Sequence, residues 1–374
     1  MKRQNNFGVK SSTQSNSSKP DSLKGWFRQQ WVVLSLIGAG IFMITYWTKS
    51  NTSNTLSQPS AKPQFLTVKS PQSLDELLKL PPAELNQCDI ALMNLLCAQN
   101  MPGAEDIKVK DYLDTLDRWA KQVQAETERN FHRYHDNPAD FYNSEGYFRM
   151  LMMAVVVYED FGVRYNPNRI TLPGKIDPND SFFANSQDIF LNGLIDGQKM
   201  GTCSSMPVLY IALGRRLGYP LKLVTTKAHL FVRWESVSDR FDVEATGKGM
   251  NRYDDEHFKQ WPFPVSDAEI QNEGFLKSLT APEELAVFLS LRGSCLKESG
   301  RLKEAAECYA NASRLAPSWN AYRALLADTE APRPSLSASK YIEAPQNNVP
   351  ANLEIPGQTV GIPDPNPLKQ INGQ

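Results

Sequence analysis

From Gln29 to Thr48 the chain carries no charged side chain, and the central WVVLSLIGAGIFMITYW is almost wholly apolar. A helix of about twenty residues spans roughly 30 Å, the thickness of a bilayer's hydrocarbon core. No other segment constrains the fold as strongly, because this run has no polar face to turn towards water. Trp26, Trp31, Tyr46 and Trp47 lie near its ends, where interfacial aromatics are found. The residues before it carry Lys2, Arg3, Lys10, Lys19, Lys24 and Arg28 against a single acid, Asp21. That basic excess predicts a single-pass protein with a cytoplasmic N-terminus and everything after Lys49 on the far side, periplasmic or extracytoplasmic. A cleaved signal peptide would have a shorter apolar run and a small-x-small site, which TYWTKSNTSN does not supply well. The expected order is therefore a basic tail (1–28), a signal anchor (29–48) and a polar linker (49–82).

The charges nearly cancel, 40 basic against 41 acidic, so no global field recommends a nucleic-acid partner. The four histidines and five cysteines show neither C-x-x-C nor H-E-x-x-H spacing, so neither a metal site nor a cofactor is expected. No acidic loop has EF-hand spacing. Cys88 and Cys97, read as lying on one helix, stand about 13 Å apart, too far for a bridge. Cys295 and Cys308 fall on two helices of a predicted hairpin and are read as packed thiols. The 25 prolines gather towards the two ends and leave a folded middle.

Residues 83–165 read as a helical subdomain. DIALMNLLCAQ and KVKDYLDTLDRWAKQVQAETERNF hold apolar positions at helical spacing, with Met101-Pro102-Gly103 between them. A third run, YFRMLMMAVVVYEDFGV, predicts a buried helix closed by Gly162. Asn166 to Asn185 is loop, followed by one short helix over DIFLNGLID.

The chemistry lies in the next stretch, GTCSSMPVLYIALGRRLGYPLKLVTTKAHLFVRWE. A helix is expected from about Cys203 to Leu217, with Pro207 early in it and Gly218 ending it. Strands are expected over Leu221–Thr225, His229–Trp234 and Arg240–Ala245. Cys203 then stands at a helix N-terminus, where the macrodipole and free N–H groups favour a thiolate and an oxyanion. His229 heads a strand from which it can act as general base and acid. Asp242 and Glu244, two apart, share one face of the next strand, and either can orient the imidazole. Gln198, five residues before Cys203, is a candidate side-chain oxyanion donor. Each residue also has a plain reading: a packed thiol, a core histidine, the solvated face of an edge strand, a turn glutamine. His132, His135 and His257 sit in polar contexts and read as surface.

The order G-x-Cys203, then Leu217-Gly218-Tyr219-Pro220, then strand His229, then an acid-x-Thr strand resembles the transglutaminase-like superfamily. The resemblance covers roughly residues 83–262 and implies a papain-like α+β fold with a Cys-His-acid triad. Val243-Glu244-Ala245-Thr246-Gly247 stands where that family places its acid and a Pro-Thr pair, which makes Glu244 the better match and Asp242 the reserve. The helical stretch from Cys88 to Val123 is similar to the leader of a bacterial subfamily, many of whose members lack the cysteine.

Further on, AVFLSLRGSCLKESGRLKEAAECYANASRLAPSW places Gly293, Leu296, Ala305, Tyr309, Ala312 and Pro317 at tetratricopeptide spacing, with Gly300 at the turn. A hairpin over 282–328 is expected, docked on the core (166–265) or on a protein partner, since one repeat cannot stand alone. Residues 329–374 read as a disordered tail. Two functions fit these features. One is a thiol amide hydrolase or acyltransferase acting on a protein or peptide outside the cytoplasm. The other is a non-catalytic peptide- or protein-binding module at the membrane.

Overall fold

The computed structural model describes residues 70–169, 182–246 and 250–331. The expected basic tail, signal anchor and C-terminal tail beyond Ala331 lie outside the described residues. Among the described residues no helix is long and apolar enough to cross a membrane.

The described chain is α+β. Its first helices are short, α1 (Leu74–Leu78) and α2 (Pro82–Leu85), followed by α3 (Ile90–Ala98), α4 (Val109–Asp136) and α5 (Glu145–Val155). The linker expected to run to residue 82 therefore ends earlier. Ser73 accepts the Glu76 N–H at 3.2 Å and caps α1, and Leu77 is fully buried. A five-residue helix between prolines leaves no periodicity to read. Cys88 is also outside α3, so the two cysteines assigned to one helix do not share it. Helix α3 is buried along its whole length and lies at the centre of the helical layer. The much longer α4 buries only Tyr112, Leu116, Ala120, Val123 and Thr127, one stripe at helical spacing.

After α5 and a π-helical turn (Val156–Asp160), strand β1 (Arg164–Tyr165) pairs in parallel with β2 (Met200–Gly201). Two one-turn helices lie between them, α6 (Ser186–Ile189) and α7 (Asn192–Ile195), where one helix was expected. Helix α8 (Met206–Arg216) leads into an antiparallel sheet of order β3 (Leu221–Thr226), β4 (His229–Glu235), β5 (Arg240–Glu244) and β6 (Asn251–Tyr253). The three expected strands form within a residue of their expected ends. The fourth, short and polar, is an addition.

Alternation sorts the sheet into two faces. Leu221, Leu223, Leu230, Val232, Trp234, Phe241 and Val243 enter the main core, with α8 packed against β3 and β4. Val224 and Phe231 turn the other way and meet Phe258 of α9 (Asp255–Gln260) in a small second cluster. The chain closes with α10 (Asp267–Glu273), α11 (Ala281–Glu298), α12 (Leu302–Leu315) and α13 (Asn320–Glu330). Helix α13 runs to Glu330, so the expected tail at 329 starts inside it.

One core takes residues from the helical layer, from β3 to β5 and from the last three helices, running from Leu77 to Tyr322. Two buried polar links tie the last helices to the rest. Arg292 donates to the Cys97 and Gln99 carbonyls at 2.7 Å each, which satisfies the open end of α3. Arg215 makes a two-pronged pair with the fully buried Glu284, at 3.0 and 2.5 Å. Gly293 lets α11 and α12 approach, since a Cβ there would lie 2.7 Å from the Tyr309 ring.

Candidate active site

The site begins in the turn that precedes α8. Thr202 is fully buried, and its hydroxyl donates to the Asp188 carbonyl at 2.6 Å and accepts from the Ser204 N–H at 3.2 Å. Its carbonyl accepts from the N–H groups of Ser205 and Met206 at 3.2 and 3.0 Å, and the Ser205 hydroxyl accepts the Thr202 N–H at 3.1 Å. These bonds hold residues 203–205 as a turn, so the helix begins at Met206, three residues later than expected. None of them uses the Cys203 N–H. Gly201 is required by close approach, for a Cβ would lie 2.3 Å from Leu194 and 2.8 Å from the Ser205 hydroxyl. Cys203 is half-buried, whereas Cys97, Cys295 and Cys308 are buried; all five thiols are free.

His229 opens β4, paired with Thr226 across the β3–β4 turn. Its Nε2 lies 2.6 Å from Glu244 Oε2, and both side chains are almost fully buried. The other carboxylate oxygen accepts from the Thr246 N–H at 2.7 Å and the Thr246 hydroxyl at 2.5 Å. The threonine two places after the acid thus holds the carboxylate in position. With Nε2 engaged, Nδ1 is the ring nitrogen left for a second partner, and the Cys203 sulfur is within the ring's reach. Burial opposes a charge on His229. The Glu244 charge, with hydrogen bonding from Cys203 and Glu244 and the Cys203 charge, outweighs it and pushes the pKa up to about 10. Burial likewise opposes ionisation of Glu244, but the His229 charge and the His229 and Thr246 hydrogen bonds hold it below the ordinary value.

Asp242 does not reach His229. It lies opposite Arg233 across the strands, and the guanidinium grips it at 2.6 and 3.1 Å. Arg233 also donates to the Leu276 carbonyl at 3.0 Å and pairs with Asp255. The reserve acid is therefore bound in a buried ion network one pair along the sheet from Glu244. Gln198 does not join this group. It is exposed in the turn before β2 and joins none of the site's hydrogen bonds.

His257 needs correction from surface residue to neighbour of the site. It stacks on Tyr253 at 3.7 Å and on Trp261 at 5.6 Å, and the charges of Glu244 and His229 both act on it. Burial comes first among the causes that hold its pKa below the usual value. Trp261 stands edge-on to the His229 ring at 4.7 Å, and Phe258 lies 6.2 Å away. His132 is exposed, as expected, and His135 packs against Phe131.

Tyr165 was also missed. The parallel register sets it beside Gly201, and Asn166 N–H donates to the Gly201 carbonyl at 2.8 Å. Burial raises its pKa, and the charges of Cys203 and Glu244 raise it further. Its phenol therefore belongs to the same small volume as the thiol. Among the described residues no group of three or more His, Cys, Asp or Glu side chains could hold a metal ion. An acid-oriented imidazole beside a half-exposed thiol is suited to taking the thiol proton and returning it to a leaving group.

No family model, curated protein or solved structure matches the chain.

Proposed function

We infer that this chain is a membrane-anchored thiol enzyme of the transglutaminase-like, papain-like type, acting on an amide bond of a protein or peptide outside the cytoplasm. The observation that carries the reading is the buried His229–Glu244 hydrogen bond at 2.6 Å, with Cys203 as a further hydrogen-bond partner of the ring. Cys203, as thiolate, adds to the amide carbonyl. The imidazolium of His229 gives its proton to the departing amine as the C–N bond breaks, which leaves a thioester on Cys203. Water, or a second amine, then adds to the thioester with His229 as base, and the thiolate is regenerated. Glu244 fixes the ring and offsets its positive charge. The three C-terminal helices are of tetratricopeptide type and buttress this core.

The test is acyl-enzyme trapping. The full-length chain is mixed with p-nitrophenyl acetate and digested, and its peptides are weighed. We expect acetylation of Cys203, removable by hydroxylamine and lost in His229→Ala. Acetylation of Cys203 no faster than that of half-exposed Cys88 would leave a binding module instead.

A further inference from the structure

We propose that Tyr165 is a catalytic residue, its hydroxyl donating, alongside the Cys203 N–H, to the oxyanion formed when the Cys203 sulfur adds to a carbonyl. The proposal rests on the thiol-enzyme reading above and replaces the exposed Gln198 in that role.

Placement comes first. Strand β1 pairs with β2 so that Tyr165 lies opposite Gly201, two residues before the nucleophile. The ends of this short ladder are fixed. Asp188 accepts from Asn166 at 2.9 Å and from Arg169 at 3.1 and 2.8 Å, while its carbonyl holds Thr202. Tyr165 and the Cys203 turn are thus braced against one residue, Asp188, and keep a fixed separation. Preorganisation of this kind makes oxyanion donors effective.

Orientation comes second. The register sets Tyr165 opposite Gly201, and its phenol oxygen is under the influence of the Cys203 N–H, the Cys203 sulfur and the Glu244 charge. In the resting protein the hydroxyl donates to the Arg169 carbonyl at 3.1 Å. When the sulfur adds to a carbonyl, the carbonyl π pair moves onto oxygen beside the Cys203 N–H. A half-turn of the phenolic O–H away from Arg169 brings a second donor to that oxygen. The phenol keeps its proton, since burial first and then nearby negative charge, on Glu244 and on the sulfur or the oxygen that takes over its charge, oppose ionisation. Collapse of the intermediate returns the electron pair to the carbonyl and expels the leaving group.

Two reactions of Cys203 separate this role from a structural one. Alkylation by iodoacetamide displaces iodide at a saturated carbon and forms no oxyanion. Acylation by p-nitrophenyl acetate does form one. The full-length wild type and Tyr165→Phe are compared in both. We expect acylation to fall at least about tenfold, towards the hundredfold that loss of one oxyanion donor costs elsewhere, with the alkylation rate and its pH profile unchanged. Unchanged acylation would overturn the proposal. An equal fall in both reactions would also overturn it, because Tyr165 would then only position the thiol. A wild type whose alkylation follows an ordinary thiol would instead refute the enzyme reading on which the proposal stands.

Discussion

Glu244 and Asp242 lie on one face of one strand, yet they have different tasks because their partners differ. Glu244 faces His229 and Thr246, whereas Asp242 neutralises the almost fully buried Arg233. Substitution should separate them. Glu244→Gln preserves size but removes the charge that supports the imidazolium, so acylation of Cys203 should fall at least about a hundredfold, within the range seen when a triad acid is neutralised. Its unfolding midpoint should also fall at neutral pH, because the buried imidazolium loses its carboxylate partner. Asp242→Ala leaves a buried guanidinium with only Asp255 as carboxylate partner. It should cost about 3 kcal/mol in urea unfolding, while the residual folded protein alkylates as the wild type does. The reverse pattern would assign the triad acid to Asp242. The order of Cys203, His229 and Glu244 was legible in the sequence because the histidine opens a strand, the acid closes the next, and the cysteine follows Gly201 a few residues ahead of a helix. Tyr165 and Thr202 were not, since their roles depend on a parallel pairing across more than thirty residues of chain. Trp261 and His257 were hidden for a related reason: only the packing of α9 against the sheet brings the Trp261 ring to His229 and the His257 ring beside Trp261.

At the scale of elements, strands β3 to β5 were readable because one face is apolar and the turns between them are polar. Strand β6, Asn251–Tyr253, has no apolar alternation and forms only because β5 offers a free edge. The start of α8 was misplaced for a local reason. The side chains of Thr202 and Ser205 bind backbone groups of their own turn and delay the helix by three residues. Docking of α11 depends on the Arg215–Glu284 pair, in which Glu284 is 1% and Arg215 31% exposed. Glu284→Ala should therefore destabilise the protein by about 3 kcal/mol, less if water reaches the freed guanidinium. Chemical denaturation would show this as a lower midpoint at constant slope. An unchanged midpoint would mean that α11 is held by apolar contacts alone.

Across the whole molecule, the helical layer, the sheet and the last three helices share one core, and no segment boundary in the sequence marks that union. The charged pair at the site adds a pH dependence to the stability of this single unit. Glu244 has a folded pKa below its unfolded value, so its contribution is complete above the ordinary carboxylate range and is lost as pH falls. His229, raised to about 10, contributes fully below its unfolded value of about 6.5 and loses that contribution as pH rises through the folded value. The Tm difference between wild type and the double variant His229→Gln/Glu244→Gln should therefore be largest between about pH 5 and 6.5 and shrink on both sides. A difference that grows steadily to pH 9 would contradict the pairing.

The central claim is a reactive thiol set against an acid-held imidazole, and the pH dependence of Cys203 alkylation by iodoacetamide tests it most directly. Labelling of the full-length chain is read by mass at each cysteine, with Cys88 as an internal reference whose pKa is raised, first by burial and then by Asp89 and Glu84. We predict fast labelling of Cys203 that persists below pH 7 and collapses in His229→Ala. Slow labelling with the midpoint of a free thiol, about 8.5, indifferent to His229, would contradict the account.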